Sequence, residues 1–139
     1  MAVLRKLDAV MIPVTDLDAG ISCYVTGLGH RLLWRNDVVG QAGLALPEGD
    51  TEIVLTTTLP YEPTWLVDDV LAAAEQFRSV GGELVSGPMD VPVGRIAVVA
   101  DVFGNRLALL ELSKGRYTTD ADGTVIDVVP STPRRRQAE

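Results

Sequence analysis

The 139-residue chain reads as an α+β protein of two tandem βαβββ modules, with eight principal strands and two principal helices. Two observations predict this. First, Val14-Thr15-Asp16-Leu17-Asp18-Ala19 matches Val67-Asp68-Asp69-Val70-Leu71-Ala72 at an offset of 53. The match runs on without a gap to Tyr24 over Phe77 and Gly29 over Gly82. Second, Leu44 to Asp50 matches Val99 to Asn105 at an offset of 55, so the halves repeat at both ends. The modules span about 7–58 and 62–112 within a domain of residues 1–115, and 116–139 forms a C-terminal hairpin and flexible tail.

In the first strand Val10, Ile12 and Val14 alternate with Ala9, Met11 and Pro13, a period of two. Thr15 and Asp18 have capping-box spacing, which places a helix start at this point. Leu17, Ile21, Val25 and Leu28 recur at helical spacing until Gly27 and Gly29 stop the helix. Further strands are expected over 30–35, 41–46 and 52–58. The second module repeats the order: a strand over 62–67, a helix with the stripe Val70, Ala73, Ala74, Phe77 and Val80 ended by Gly81-Gly82, then strands over 83–86, 94–101 and 106–112. Gly49-Asp50 and Gly104-Asn105 mark equivalent turns. Beyond Lys114, Tyr117 to Val129 has the pattern of a hairpin around Asp120-Ala121-Asp122-Gly123. That turn lacks the spacing and terminal Glu of a calcium loop. Pro130 to Glu139, with Arg134 to Arg136, reads as a mobile tail.

Composition excludes several classes. Apolar residues make up 47 % and charged residues 22 %, a globular balance. A net charge of −7 argues against nucleic acid, which needs a basic face. No apolar run approaches the ~20 residues of a membrane span. Arg5, Lys6 and Asp8 interrupt any signal pattern, and the single Cys23 excludes an internal disulfide. A cytoplasmic protein is expected. The acidic charge suits a cationic ligand and equally suits plain solubility.

The stretches 7–30, 64–88 and 98–112, in this order and spacing, resemble the vicinal oxygen chelate superfamily of glyoxalases, bleomycin-resistance proteins and extradiol dioxygenases. The resemblance implies that the modules bend one mixed sheet of eight strands into a cup around a small-molecule site. It also implies a homodimer, in some members with exchanged modules. It places metal ligands at Ala9, Glu62, Ala108 and, by the offset of 55, Ile53. Of these only Glu62 has a donor atom. His30 is the lone histidine, so a two-His triad cannot form within one chain. No metal and no other cofactor are therefore expected.

Strand alternation then sorts the faces. Val10, Ile12, Val14, Val54, Trp65, Val67, Leu107 and Leu109 are expected beneath the helices. The ligand-binding face takes Met11, Ile53, Leu55, Thr57, Glu62, Thr64, Ala108 and Leu110, with Leu66 beside them, and Trp34 if its register turns it inward rather than into core or interface. Glu62 has three readings: a rim residue beside Tyr61, a ligand contact, or a catalytic acid or base whose pKa an apolar cup raises. His30 is expected on the surface, Arg106 at a solvated strand end, and Cys23 packed. The expected function is metal-free binding of a hydrophobic or cationic metabolite or antibiotic. The alternative is a glyoxalase-like enzyme of the lyase, isomerase or dioxygenase class, with Glu62 as acid/base or as a metal ligand.

Overall fold

The computed structural model describes residues 2–130; the tail with Arg134 to Arg136 lies outside them. The chain runs β1 (Lys6–Pro13), α1 (Leu17–Ile21) continuing as a π-helical turn (Ser22–Gly27), β2 (Arg31–Asn36), β3 (Gln41–Ala45) and β4 (Glu52–Thr56). The second module follows as β5 (Glu62–Leu66), α2 (Val70–Ser79), β6 (Glu83–Val91), β7 (Gly94–Ala100) and β8 (Arg106–Glu111). A hairpin of β9 (Arg116–Thr119) and β10 (Val125–Val129) completes it. Eight strands form one mixed sheet in the order β2-β3-β4-β1-β5-β8-β7-β6. The modules meet at the antiparallel β1–β5 pair, and within each the first and last strands run parallel.

Local chemistry explains the helix ends. Asp16, rather than Thr15, caps α1: its carboxylate accepts from Ala19 N at 2.8 Å. Asp69 does the same for α2, accepting from Leu71 N and Ala72 N. Gly81, at φ +94°, takes the left-handed conformation that ends α2, and Gly82 N then donates back to Phe77 O at 2.8 Å. Cys23 on the π-helical turn is exposed, not packed. β6 runs five residues past its expected end at 86, because a register shift around Gly87-Pro88 lets Met89 to Val91 resume pairing with β7.

Both helices lie on one face of the sheet. Under α2, Val70, Ala73 and Ala74 pack with Val67, Ala97, Val99 and Leu109, and Trp65 and Leu107 flank them. Under α1, Leu17 packs with Ala42, Leu44 and Leu55, joined by Ile12, Val14 and Ile53. This second cluster corrects the expected faces of β4. Ile53 and Leu55 lie beneath α1, whereas Val54 faces away from it with Ala9 and Met11.

The connecting loops account for the difference. Ala45 pairs with Glu52 across residues 46–51, while Ala100 pairs with Arg106 across residues 101–105. The first loop is one residue longer. The offset of 55 that relates β3 to β7 therefore becomes 54 between β4 and β8, and one residue of slip turns every side chain to the other face.

Candidate functional site

The face opposite the helices encloses a cavity of about 410 Å³, walled mostly by apolar side chains of both modules. Its floor follows the strand register. One row runs Glu52, Ala9, Thr64, Ala108, Val98 and Ser86 across β4, β1, β5, β8, β7 and β6. The next pairs Val54 with Met11 and Met11 with Glu62. Of the expected ligand-binding residues, Met11, Trp34, Glu62, Thr64, Ala108 and Leu110 line this cavity. Ile53 and Leu55 do not, for the reason just given. Thr57 is also outside it: β4 ends at Thr56, and the exposed Thr57 hydroxyl donates to Gly40 O at 3.2 Å.

Four polar groups set the chemistry of the site. Glu62 is buried at 7 % exposure, so it is not a rim residue, whereas Tyr61 beside it is exposed and does not line the cavity. Glu62 Oε1 has no hydrogen-bond partner among the described residues, and Arg106 Nε stands 3.6 Å away. That distance is beyond hydrogen-bonding range. Thr64, at 1 % exposure, likewise has an unpartnered hydroxyl.

Glu52 accepts from Trp34 Nε1 at 2.8 Å, and burial pushes its pKa up against that hydrogen bond. Asp8 is also raised by burial, opposed by Arg116 at 3.7 Å. Asp8 reaches the cavity because the β1–β5 register shifts between Leu7 and Ala9. Alternation alone would send it to the helix side with Val10.

Trp34 turns inward, and Gly43 opposite it on β3 is the reason. A Cβ on Gly43 would overlap the indole, so only glycine lets the ring lie against the strand. Tyr117 of β9 covers the same ring, with centroids 4.8 Å apart at 53°. Asn36 Nδ2 donates to the Tyr117 hydroxyl at 3.3 Å. The C-terminal hairpin thus supplies a wall of the cavity through Arg116 and Tyr117. Asp120 is consumed in its own turn, accepting from Asp122 N and Thr124 N. His30, partly buried before β2, places Nδ1 3.1 Å from Ala45 O.

Sequence reasoning missed Asp8, Glu52, Arg106, Arg116 and Tyr117 as cavity residues. The unequal loop lengths were a readable signal for Glu52. The bulge that turns Asp8 inward has no local signature.

The raised Glu52 pKa makes a pH prediction. Above its ordinary value near 4.5, the native state holds a proton that the unfolded state has released. Stability is thus lost as pH rises from there through the raised native pKa, and is regained below. Glu52→Gln keeps the acceptor for Trp34 and removes the charge. Urea unfolding should show this variant gaining stability relative to the parent between pH 4 and pH 7. A constant difference would mean that Glu52 is not desolvated.

Residues 6–109 match the model of the Glyoxalase/Bleomycin resistance protein/Dioxygenase superfamily. The chain belongs to this superfamily. An uncharacterized protein of Mycolicibacterium smegmatis is 33 % identical over 109 residues, covering 74 % of this chain and 90 % of its own. Methylmalonyl-CoA epimerase of Mycobacterium tuberculosis superposes with a TM-score of 0.63 at 28 % identity, over 79 % of this chain and 89 % of that one. A Streptomyces coelicolor methylmalonyl-CoA epimerase variant bound to 2-nitronate-propionyl-CoA gives 0.59 at 22 % identity, over 76 % and 96 %.

The positions at which the resemblance led us to expect metal ligands become, with the β4 register corrected, Ala9, Val54, Glu62 and Ala108. Ala9, Val54 and Ala108 are buried and have no donor atom. Among the described residues no three His, Cys, Asp or Glu side chains cluster as a metal site. This donor set does not fit catalytic zinc, which takes three protein ligands, or a two-His-one-carboxylate iron site.

Proposed function

We propose that the protein is a metal-free receptor for a small, largely apolar molecule bearing an amine. It holds that molecule in the cup formed by the two modules. One observation carries this reading: the apolar cavity contains a buried carboxylate oxygen of Glu62 and a buried hydroxyl of Thr64 that make no hydrogen bond among the described residues, with the half-exposed Arg106 only within ion-pair distance of Glu62. Buried polar groups of this kind are costly unless hydrogen-bonded. A ligand ammonium, with several N–H donors, can reach both and matches the carboxylate charge. Ala9 and Ala108 leave the space that such a group needs.

The test uses 4-phenylbutylamine and its acidic counterpart 4-phenylbutyrate in titration calorimetry. The amine is expected to bind and the acid to bind more weakly. Glu62→Gln should weaken the amine about ten- to a hundredfold, the range of a charged hydrogen bond. Failure of every amine to bind, or tighter binding of the acid, refutes the reading. Elemental analysis should find no stoichiometric zinc, iron, nickel or manganese. About one equivalent of bound metal, lost on Glu62→Gln, refutes the metal-free part.

A second reading is acid–base catalysis on a small metabolite in the same cup, with Glu62 as the proton carrier. The likeness to methylmalonyl-CoA epimerase favours it. Turnover of a carbon acid that depends on Glu62 would establish it. We also propose that the protein is a cytoplasmic homodimer. Support for the dimer comes from the sheet, which ends at β2 and β6 without closing. Sedimentation should give twice the chain mass of 14.9 kDa.

A further inference from the structure

We infer that the ligand of the cup is a zwitterion of the α-amino-acid type: Glu62 takes its ammonium group, and Arg106 takes a carboxylate borne on the same carbon as the amine. The inference rests on the reading of the cup as an amine receptor. It adds the second charged group of the ligand and the residue that selects for it.

Strand register brings the two side chains together. Thr64 of β5 pairs with Ala108 of β8 on the cavity floor. Two residues earlier on each strand stand Glu62 and Arg106, the first residues of β5 and β8, so alternation turns both to the cup face. Both line the cavity. They do not close on each other. Arg106 Nε lies 3.6 Å from Glu62 Oε1, and Glu62 is its one ion-pair partner among the described residues. Arg95 and Glu111 show what a closed pair looks like in this protein, with hydrogen bonds of 3.0 and 3.3 Å. There the guanidinium fork is consumed. At Arg106 it is left for another acceptor.

Charge balance says what that acceptor is. A plain ammonium seated on the unpartnered Glu62 Oε1 and Thr64 hydroxyl stands beside the Arg106 guanidinium, and the two cations repel. A carboxylate on the amine-bearing carbon turns that repulsion into attraction. The charges then alternate in sign from Glu62 to ammonium to carboxylate to Arg106. The Glu62–Arg106 pair carries no net charge and neither does the ligand, so the apolar cup buries none. A lone carboxylate would satisfy Arg106 but leave Glu62 and Thr64 unpartnered. The Arg106 side chain is 52 % exposed, which sets the carboxylate toward solvent and the apolar body inward, over Met11 and Ala108.

The test is titration calorimetry on the full chain with 4-phenylbutylamine and with each enantiomer of 2-amino-5-phenylpentanoate, the same amine with a carboxylate on its amine-bearing carbon. The parent should bind one enantiomer about ten- to a hundredfold more tightly than the amine, the range of a charged hydrogen bond. The neutral 2-amino-5-phenylpentanamide should gain nothing over the amine. In Arg106→Gln the preference for the amino acid should disappear, and Arg106→Lys should keep part of it, with thermal unfolding midpoints to confirm folding. If the amine binds and depends on Glu62 but neither enantiomer binds more tightly, the inference is overturned and the cup reading stands. A preference that survives Arg106→Gln, or that the amide matches, also overturns it. If neither the amine nor the amino acid binds, the cup reading itself has failed and the inference goes with it.

Discussion

Replacing Leu55 by alanine is expected to destabilise the protein by about 2–5 kcal/mol, the range for fully buried leucines. Val54→Ala, one residue away, should cost less than half as much. Leu55 is fully buried beneath α1, where its Cδ1 lies near Gly20. Truncation there opens a void within a close-packed layer. Val54 borders a cavity that already exists, so its lost methyls leave fewer contacts behind. The functional effects should run the other way: Val54→Ala changes 4-phenylbutylamine affinity, and Leu55→Ala leaves it within about twofold below its melting range. Urea unfolding and calorimetry on both variants read this directly. The reverse order would restore the faces that the repeat offset of 55 predicts.

Gly43→Ala is expected to remove about 2 kcal/mol of stability and to displace Trp34. The added Cβ falls on the indole nitrogen and lies 2.7 Å from Glu52 Oε1. The ring must leave the strand, and the 2.8 Å hydrogen bond to Glu52 goes with it. A hydrogen bond to a charged group contributes about 1.5–3 kcal/mol. Tryptophan emission should shift to the red as the indole meets water, while Trp65 in the α2 core stays unchanged. In a Trp34→Ala background the same substitution should cost much less, because the clashing ring atoms are gone and only the Glu52 contact is left. Equal costs in the two backgrounds would show that Gly43 is needed for some reason other than the indole.

These residues show how far the sequence could be read. The module order and both helices follow from signals within the sequence: the internal repeat, alternation in β1, a capping pattern at Thr15 and Asp18 that missed the actual cap by one residue, and glycines at helix ends. The faces of β5 and β8 were legible for the same reason, and Glu62, Thr64, Ala108 and Leu110 line the cavity. β4 was not legible. Its face depends on a one-residue difference between two loops, and an apolar run such as Ile53-Val54-Leu55 suits either face. Asp8 depends on a bulge, and Tyr117 and Arg116 on a hairpin docking across the chain. Such long-range geometry leaves no periodic trace. Cys23 is exposed for a simpler reason, since it stands two residues from both Ile21 and Val25 and so falls off the helical stripe.

Among the described residues the β1–β5 junction is the one strand pairing between the modules, and the cavity floor straddles it: Glu52 and Ala9 on one side, Thr64 and Ala108 on the other. A molecule seated on that floor is a noncovalent crosslink between two halves whose strands meet at that seam. Each half then senses occupancy through the other. At a free ligand concentration a hundred times its Kd, linkage adds about 2.7 kcal/mol to the folded state, and that energy resists any opening that parts the seam. Occupancy should therefore appear as slowed amide exchange along the whole of β1 and β5, including Val10 and Trp65 on the face away from the ligand.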